Sequence, residues 1–268
     1  MTKSLTAAAC RVLTTADAAE KANCSRATAA AWRSGDIADI GAMAPPDRPA
    51  RPARPELRAP REMPRRRAGK THAARVALLH ALAHIELNAI DLAWDLVARF
   101  ADHDLPRAFY DDWVAVGDDE ARHFLALRDR LADFDAAYGD LPAHDGLWQA
   151  AEATAHDPLA RLAVVPLVLE ARGLDVTPPM IARMNAAADP QTAALLTMIY
   201  NDEITHVAAG HKWFAHLCKE RGLDPLPTWQ ELVRTHFKGN LKPPFNQKAR
   251  TQAGLPPSYY EPLATAPA

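Results

Sequence analysis

Four long stretches of this chain repeat apolar residues at three- and four-residue intervals, the spacing that gathers side chains on one face of an α-helix. The first, Thr71 to Ala101, puts Leu79, Ala83, Glu86, Ile90, Ala93 and Val97 on one stripe and stops at DHDLPR, where Pro106 interrupts a helix. The second, Arg107 to Ala137, carries Trp113, Val116, Glu120, His123, Phe124, Leu127 and Leu131 and ends near YGDLPAHDG, residues 138–146. The third, Leu147 to Arg172, carries Leu159, Ala163, Leu167 and Glu170. Within it Asp157 and Pro158 read as N-cap and first-turn residue, Pro166 predicts a kink, and Gly173 suits a C-cap; one kinked helix and two helices fit equally well. A short helix over Pro179–Ala187 precedes a long one over Pro190–Arg221, which carries Leu196, Ile199, Glu203, His206, Val207, Gly210, Trp213 and Leu217.

The rest of the chain is patterned differently. Residues 1–44 form an Ala-rich arm with room for two short helices; its piece SRATAAAWRSGDI superficially looks like a helix-turn-helix segment, but a lone match is weak and a helical arm packed on the main domain is expected. Residues 45–70 form a Pro/Arg-rich strap, biased to extended backbone and expected to lie solvated against the acidic remainder. Residues 71–221 hold the four long helices, and residues 222–268 are a Pro-rich wrapping tail with a short helix near Trp229–Phe237.

Composition narrows the class. Half the residues are hydrophobic, yet runs of Val, Ile, Thr and aromatics at strand spacing are scarce, so an all-α fold is expected. A formal net charge of -2 supplies no basic field, and nucleic acid is not an expected partner. Three cysteines without zinc or redox spacing suit a reducing compartment and no disulfide. No signal-peptide pattern and no run of about eighteen uncharged apolar residues stands out, so the expectation is a soluble, cytoplasmic protein with no membrane partner.

The stripes pose a chemical problem, since each long helix carries one glutamate among apolar residues. Glu86 precedes Glu120 by 34 residues and Glu170 precedes Glu203 by 33, and the second of each pair has a histidine at plus three, His123 and His206. At about 1.5 Å per helical residue, a hairpin turning near Asp104 returns Glu86 and Glu120 to nearly the same height. An ionised glutamate in an apolar core costs several kcal/mol, and no Lys or Arg sits on these stripes. Two divalent ions would neutralise four carboxylates and use two neutral imidazoles as nitrogen donors. A Glu from two helices with Glu-x-x-His from two others is the ligand pattern of di-iron and di-manganese carboxylate bundles. The candidate ligands are therefore Glu86, Glu120, His123, Glu170, Glu203 and His206. Tyr200, one turn before Glu203, is a candidate redox-active phenol or hydrogen-bond partner to a ligand, with core packing the plainer expectation. His84 sits some 200 degrees from Glu86 and, with His80, His211 and His216, reads as a satisfied surface or supporting group.

The motifs HALAHIELNAIDLAWD, DDEARHFLALRDRL, LVLEARGLDVTP and YNDEITHVAAGHKWF, with the later PPFNQKAR, resemble the ferritin-like family called domain of unknown function 455 over nearly the whole chain. The resemblance implies a ferritin-like four-helix bundle with additional N- and C-terminal helices and the strap, and all six candidate ligands match that superfamily's pattern. It supplies no reaction. The leading expectation is a carboxylate protein with two iron ions, manganese being the alternative in one or both positions, acting as an O2-dependent oxidase or hydroxylase on an unidentified small molecule. A ferroxidase or iron-handling protein is the first alternative, and a binding or scaffold protein with a structural or lost metal site the second. The sequence leaves room for a homodimer.

Overall fold

In the computed structural model, residues 4–63 and 71–264 are described. Among them the backbone is helical, with three isolated bridges and no strand. The all-α expectation holds. The chain divides into two compact units, the first running to Trp148 and the second from Gln149 onward.

The first unit is built on α1 (Leu5–Thr14), α2 (Ala18–Ser34), α3 (His72–Arg99) and α4 (Arg107–Ala132). Each of the first three starts on a polar cap that occupies an otherwise orphaned N–H: Ser4 accepts from Ala7, Asp17 from Glu20 and Thr71 from Ala74. The short link after α3 makes α3 and α4 a helical hairpin, on which α1 and α2 pack. Where α2, α3 and α4 meet, the Trp94 indole donates to Ser25 Oγ and Ser25 donates to the Gly117 carbonyl, both at 2.6 Å. A Cβ at Gly117 would lie 2.9 Å from the Trp94 nitrogen, so only glycine allows this approach. The helix-turn-helix-like piece thus spends its inward face on α4, and its arginines Arg26 and Arg33 pair with Asp118.

The strap is fastened at points between Ala50 and Arg58, while residues 56–58 and 60–62 are exposed, as a solvated strap would be. Ala50 N–H donates to the Leu13 carbonyl, Leu57 bridges Ala143, and Arg51 reaches Asn88 and Asp91 on α3. Residues 64–70 of the predicted strap lie outside the described residues. By length and composition α3 is apolar enough to cross a membrane, but two-thirds of its most apolar stretch is buried within the protein.

In the second unit α6 (Pro158–Val164) begins, as expected, on an Asp157 cap with Pro158 in the first turn. From there the structure departs from the sequence reading. α5 (Gly146–Ala153) is a separate helix, one of the two arrangements the sequence left open, but α6 leads into a π-helical segment, Val165–Glu170, and then directly into α7 (Ala171–Ala186). Gly173 lies inside α7 and caps nothing, and the expected short helix after it is the second half of the same element, running through Pro178 and Pro179. α7 survives these prolines because the Leu174 carbonyl, deprived of its partner at Pro178, accepts from Asn246 Nδ2 at 3.1 Å. α8 (Pro190–Glu220) packs on α7 and on the π segment, and α9 (Pro225–His236), α10 (Gln247–Gln252) and α11 (Pro257–Tyr260) complete the unit.

Candidate metal centre

In the first unit, Glu86 on α3 and Glu120 and His123 on α4 come together. His123 Nδ1 lies 3.2 Å from a Glu86 oxygen and 3.4 Å from a Glu120 oxygen, so one imidazole nitrogen faces two carboxylates. Each of the three offers a ligand atom within 4.8 Å of the others. All are buried, Glu120 and His123 to 0% exposure and Glu86 to 3%. Burial, and next the neighbouring Glu120 charge, push the Glu86 carboxyl up to about 8, with His123 opposing. Near neutral pH this acid holds its proton unless a cation offsets the burial.

The same helix supplies a contrast. Asp91 and Asp95 are also buried, but Asp91 meets Lys21 at 2.5 Å and Arg51 at 3.0 Å, and Asp95 meets Arg99 at 2.7 Å. Burial raises Asp91 and lowers Lys21 despite the pairing. Lys21 and the two arginines thus meet the aspartates, and Glu86 meets an imidazole and another carboxylate. The sequence reading found one glutamate per stripe and missed the two aspartates. The four-residue spacing of Asp95 and Arg99 was readable, but Lys21 and Arg51 arrive from elsewhere in the chain and no local pattern reports them.

In the second unit, Glu203 and His206 lie one turn apart on α8, both buried, with His206 Nδ1 3.9 Å from a Glu203 oxygen. Glu170, half-buried, ends the π segment. That segment starts where Pro166 cannot donate to the preceding turn, and nearby the Ala163 carbonyl accepts from the Trp229 indole at 3.1 Å. α8 approaches this bulge through Gly210, where a Cβ would lie 2.5 Å from Pro166 Cβ. A π turn rotates the succeeding residues relative to regular helix, so the face of Glu170 is set by the bulge and not by plain 3.6-residue periodicity.

The remaining candidates have ordinary partners. The Tyr200 hydroxyl accepts from Asn246 Nδ2 at 3.0 Å. His84 is buried and not a surface group: its Nε2 lies 3.1 Å from the His144 carbonyl, which can only accept, so that nitrogen carries the hydrogen and Nδ1 accepts from the Tyr138 hydroxyl at 2.9 Å. Burial, then Arg51, lower His84 to about 4. His80, also buried, accepts from the Gly139 and Leu141 N–H groups. His211 stacks edge-on against Tyr259 and His216 against Trp213.

As a donor set, Glu86, Glu120 and His123 suit a divalent ion of intermediate hardness, with oxygen and neutral imidazole nitrogen in a dry setting. Glu203 and His206 repeat the same chemistry in the second unit. Comparison with known proteins adds kinship and no activity. The chain is 42% identical over 204 residues to an "Uncharacterized protein" of Haemophilus influenzae, covering 74% of this chain and 70% of that one. No solved structure matches it. Residues 14–261 match the family described as "Protein of unknown function (DUF455)", and the chain belongs to that family.

Proposed function

We propose that Glu86, Glu120 and His123 of the first unit and Glu170, Glu203 and His206 of the second are the ligands of two divalent metal ions, iron first and manganese as the alternative. On this reading the protein is a ferritin-like carboxylate oxidase or hydroxylase that uses O2 on a small organic substrate. The observation that carries it is the Glu86–Glu120–His123 cluster, two carboxylates and an imidazole buried within reach of one another. Two ions would cancel the charge of the four glutamates. The Glu-x-x-His repeat gives each unit one carboxylate and one imidazole from a single helix face, with a second carboxylate from a neighbouring helix or π turn.

Bound iron would supply the redox chemistry, accepting and donating electrons toward O2. The chain's own residues do the rest. Glu86 exchanges its proton for metal charge, and the buried apolar residues on the same helices, Phe124, Leu127, Ile90 and Ala93, exclude water. The test is anaerobic loading with ferrous iron followed by metal analysis. Two metals per chain are expected, falling sharply in Glu120→Ala and in Glu203→Ala; unchanged stoichiometry in both variants overturns the assignment. Oxygen uptake that depends on an added metabolite supports the hydroxylase, and metabolite-independent uptake with mineral build-up overturns it in favour of iron handling.

A further inference from the structure

The tail motif PPFNQKAR, residues 243–250, lies far from the proposed ligands in sequence and is used in none of the chemistry above. In the second unit it grips the two elements that bear Glu170 and Glu203. Arg250 is buried and donates to both oxygens of the buried Asp175, at 2.8 and 2.7 Å, while its guanidinium lies over the Tyr260 ring at 4.6 Å. Asn246 donates its backbone N–H to Asp175 at 2.9 Å, and its side-chain amide donates to the Leu174 carbonyl and to the Tyr200 hydroxyl. Arg172 closes the set, donating to the Lys242 carbonyl at 2.7 Å and to Asp175.

These contacts fall at telling positions. Arg172, Leu174 and Asp175 are the first turn after Glu170, the point at which the π segment hands over to regular helix, and Tyr200 lies one turn before Glu203 on α8. A π-to-α junction has no fixed rotation of its own, because its hydrogen-bond register changes there. Something outside the helix has to hold the next turn. One amide, Asn246 Nδ2, reaches both the α7 carbonyl orphaned by Pro178 and the α8 phenol, and so links the two ligand-bearing elements. We propose that Asn246 and Arg250 are positioning residues that set the projection of Glu170 and Glu203 for metal. This rests on the reading under Proposed function.

The test titrates full-length wild type, Asn246→Ala, Tyr200→Phe and Arg250→Lys with cobalt(II), reading bound metal per chain and the visible ligand-field absorption, with far-UV circular dichroism as the check on helix content. Wild type is expected to bind two ions. Asn246→Ala and Tyr200→Phe are expected to keep native helix content, to bind one ion roughly 10- to 100-fold more weakly, and to change its absorption. In the Glu170→Ala/Glu203→Ala background Asn246→Ala should add nothing to the loss, because both carboxylates it orients are gone. Arg250→Lys, which keeps the charge and loses the two-point grip, should behave as Asn246→Ala does; if it fails to fold, the two milder variants decide. A wild type that takes two ions beside an Asn246→Ala protein with unchanged affinity and spectrum overturns this inference alone. A wild type that takes up no cobalt overturns it together with the functional reading.

Discussion

Replacing Glu86 by Gln removes a titrating group whose burial the apoprotein resists, and the consequence is a change in how stability depends on pH. The folded carboxyl titrates near 8 because burial, and then Glu120, penalise its ionised form; in the unfolded chain it returns to the ordinary value of 4.5. Between those values the folded state holds a proton that the unfolded state has released, so stability falls as pH rises through the window and is highest below its lower edge. At about 1.4 kcal/mol per pH unit, this one group removes roughly 3 kcal/mol between about pH 5 and 7.5. Urea unfolding of metal-free wild type and Glu86→Gln across that range reads it directly. The variant should show a flatter profile by an amount of that order, even if the amide costs some stability through its contact with His123. Adding a divalent metal should reverse the wild-type trend, since coordination requires the deprotonated acid, and should release protons that a weakly buffered titration detects. Identical slopes for the two apoproteins would refute the reasoning.

Other substitutions probe the frame. Lys21→Met leaves Asp91 buried with Arg51 as its remaining recorded cation and should cost about 3 to 5 kcal/mol by chemical denaturation, with much of the loss recovered in Lys21→Met/Asp91→Leu. Gly210→Val drives a side chain into Pro166 and should destabilise by about 1 to 3 kcal/mol or more, whereas a neutral result would mean that α8 can retreat from the bulge at no cost. Trp229→Phe keeps most of the packing but removes the indole's hydrogen bond to the Ala163 carbonyl, for a loss of about 1 kcal/mol; faster amide exchange confined to α6 and the π segment would localise it.

What periodicity could read was the long helices and one face of each. α3 and α8 run almost as expected, because both begin at a residue that caps or favours a first turn and both keep an apolar stripe. α4 stops at Ala132, five residues short of the expected Ala137. The stop depends on Asp135 taking φ 51, a conformation usually announced by Gly or Asn, so nothing in the local composition marked it. α7 erred in the opposite sense. Gly173 and the Pro178–Pro179 pair look like terminators, but the partner that rescues the helix, Asn246, comes from 72 residues beyond Leu174. The grouping of Glu86, Glu120 and His123 was legible because a hairpin with a short turn converts sequence spacing into height. The projection of Glu170 was not, because a π segment breaks the periodicity on which such a reading depends. Nor could local spacing reveal that Asp91 meets Lys21 and Arg51.

The most direct measurement is the anomalous scattering of crystals grown from protein loaded anaerobically with ferrous iron, collected on both sides of the iron absorption edge. Two peaks per chain, ligated by Glu86, Glu120, His123, Glu170, Glu203 and His206, are expected. Full-occupancy iron elsewhere, or loaded crystals with no peak at these side chains, would contradict the account.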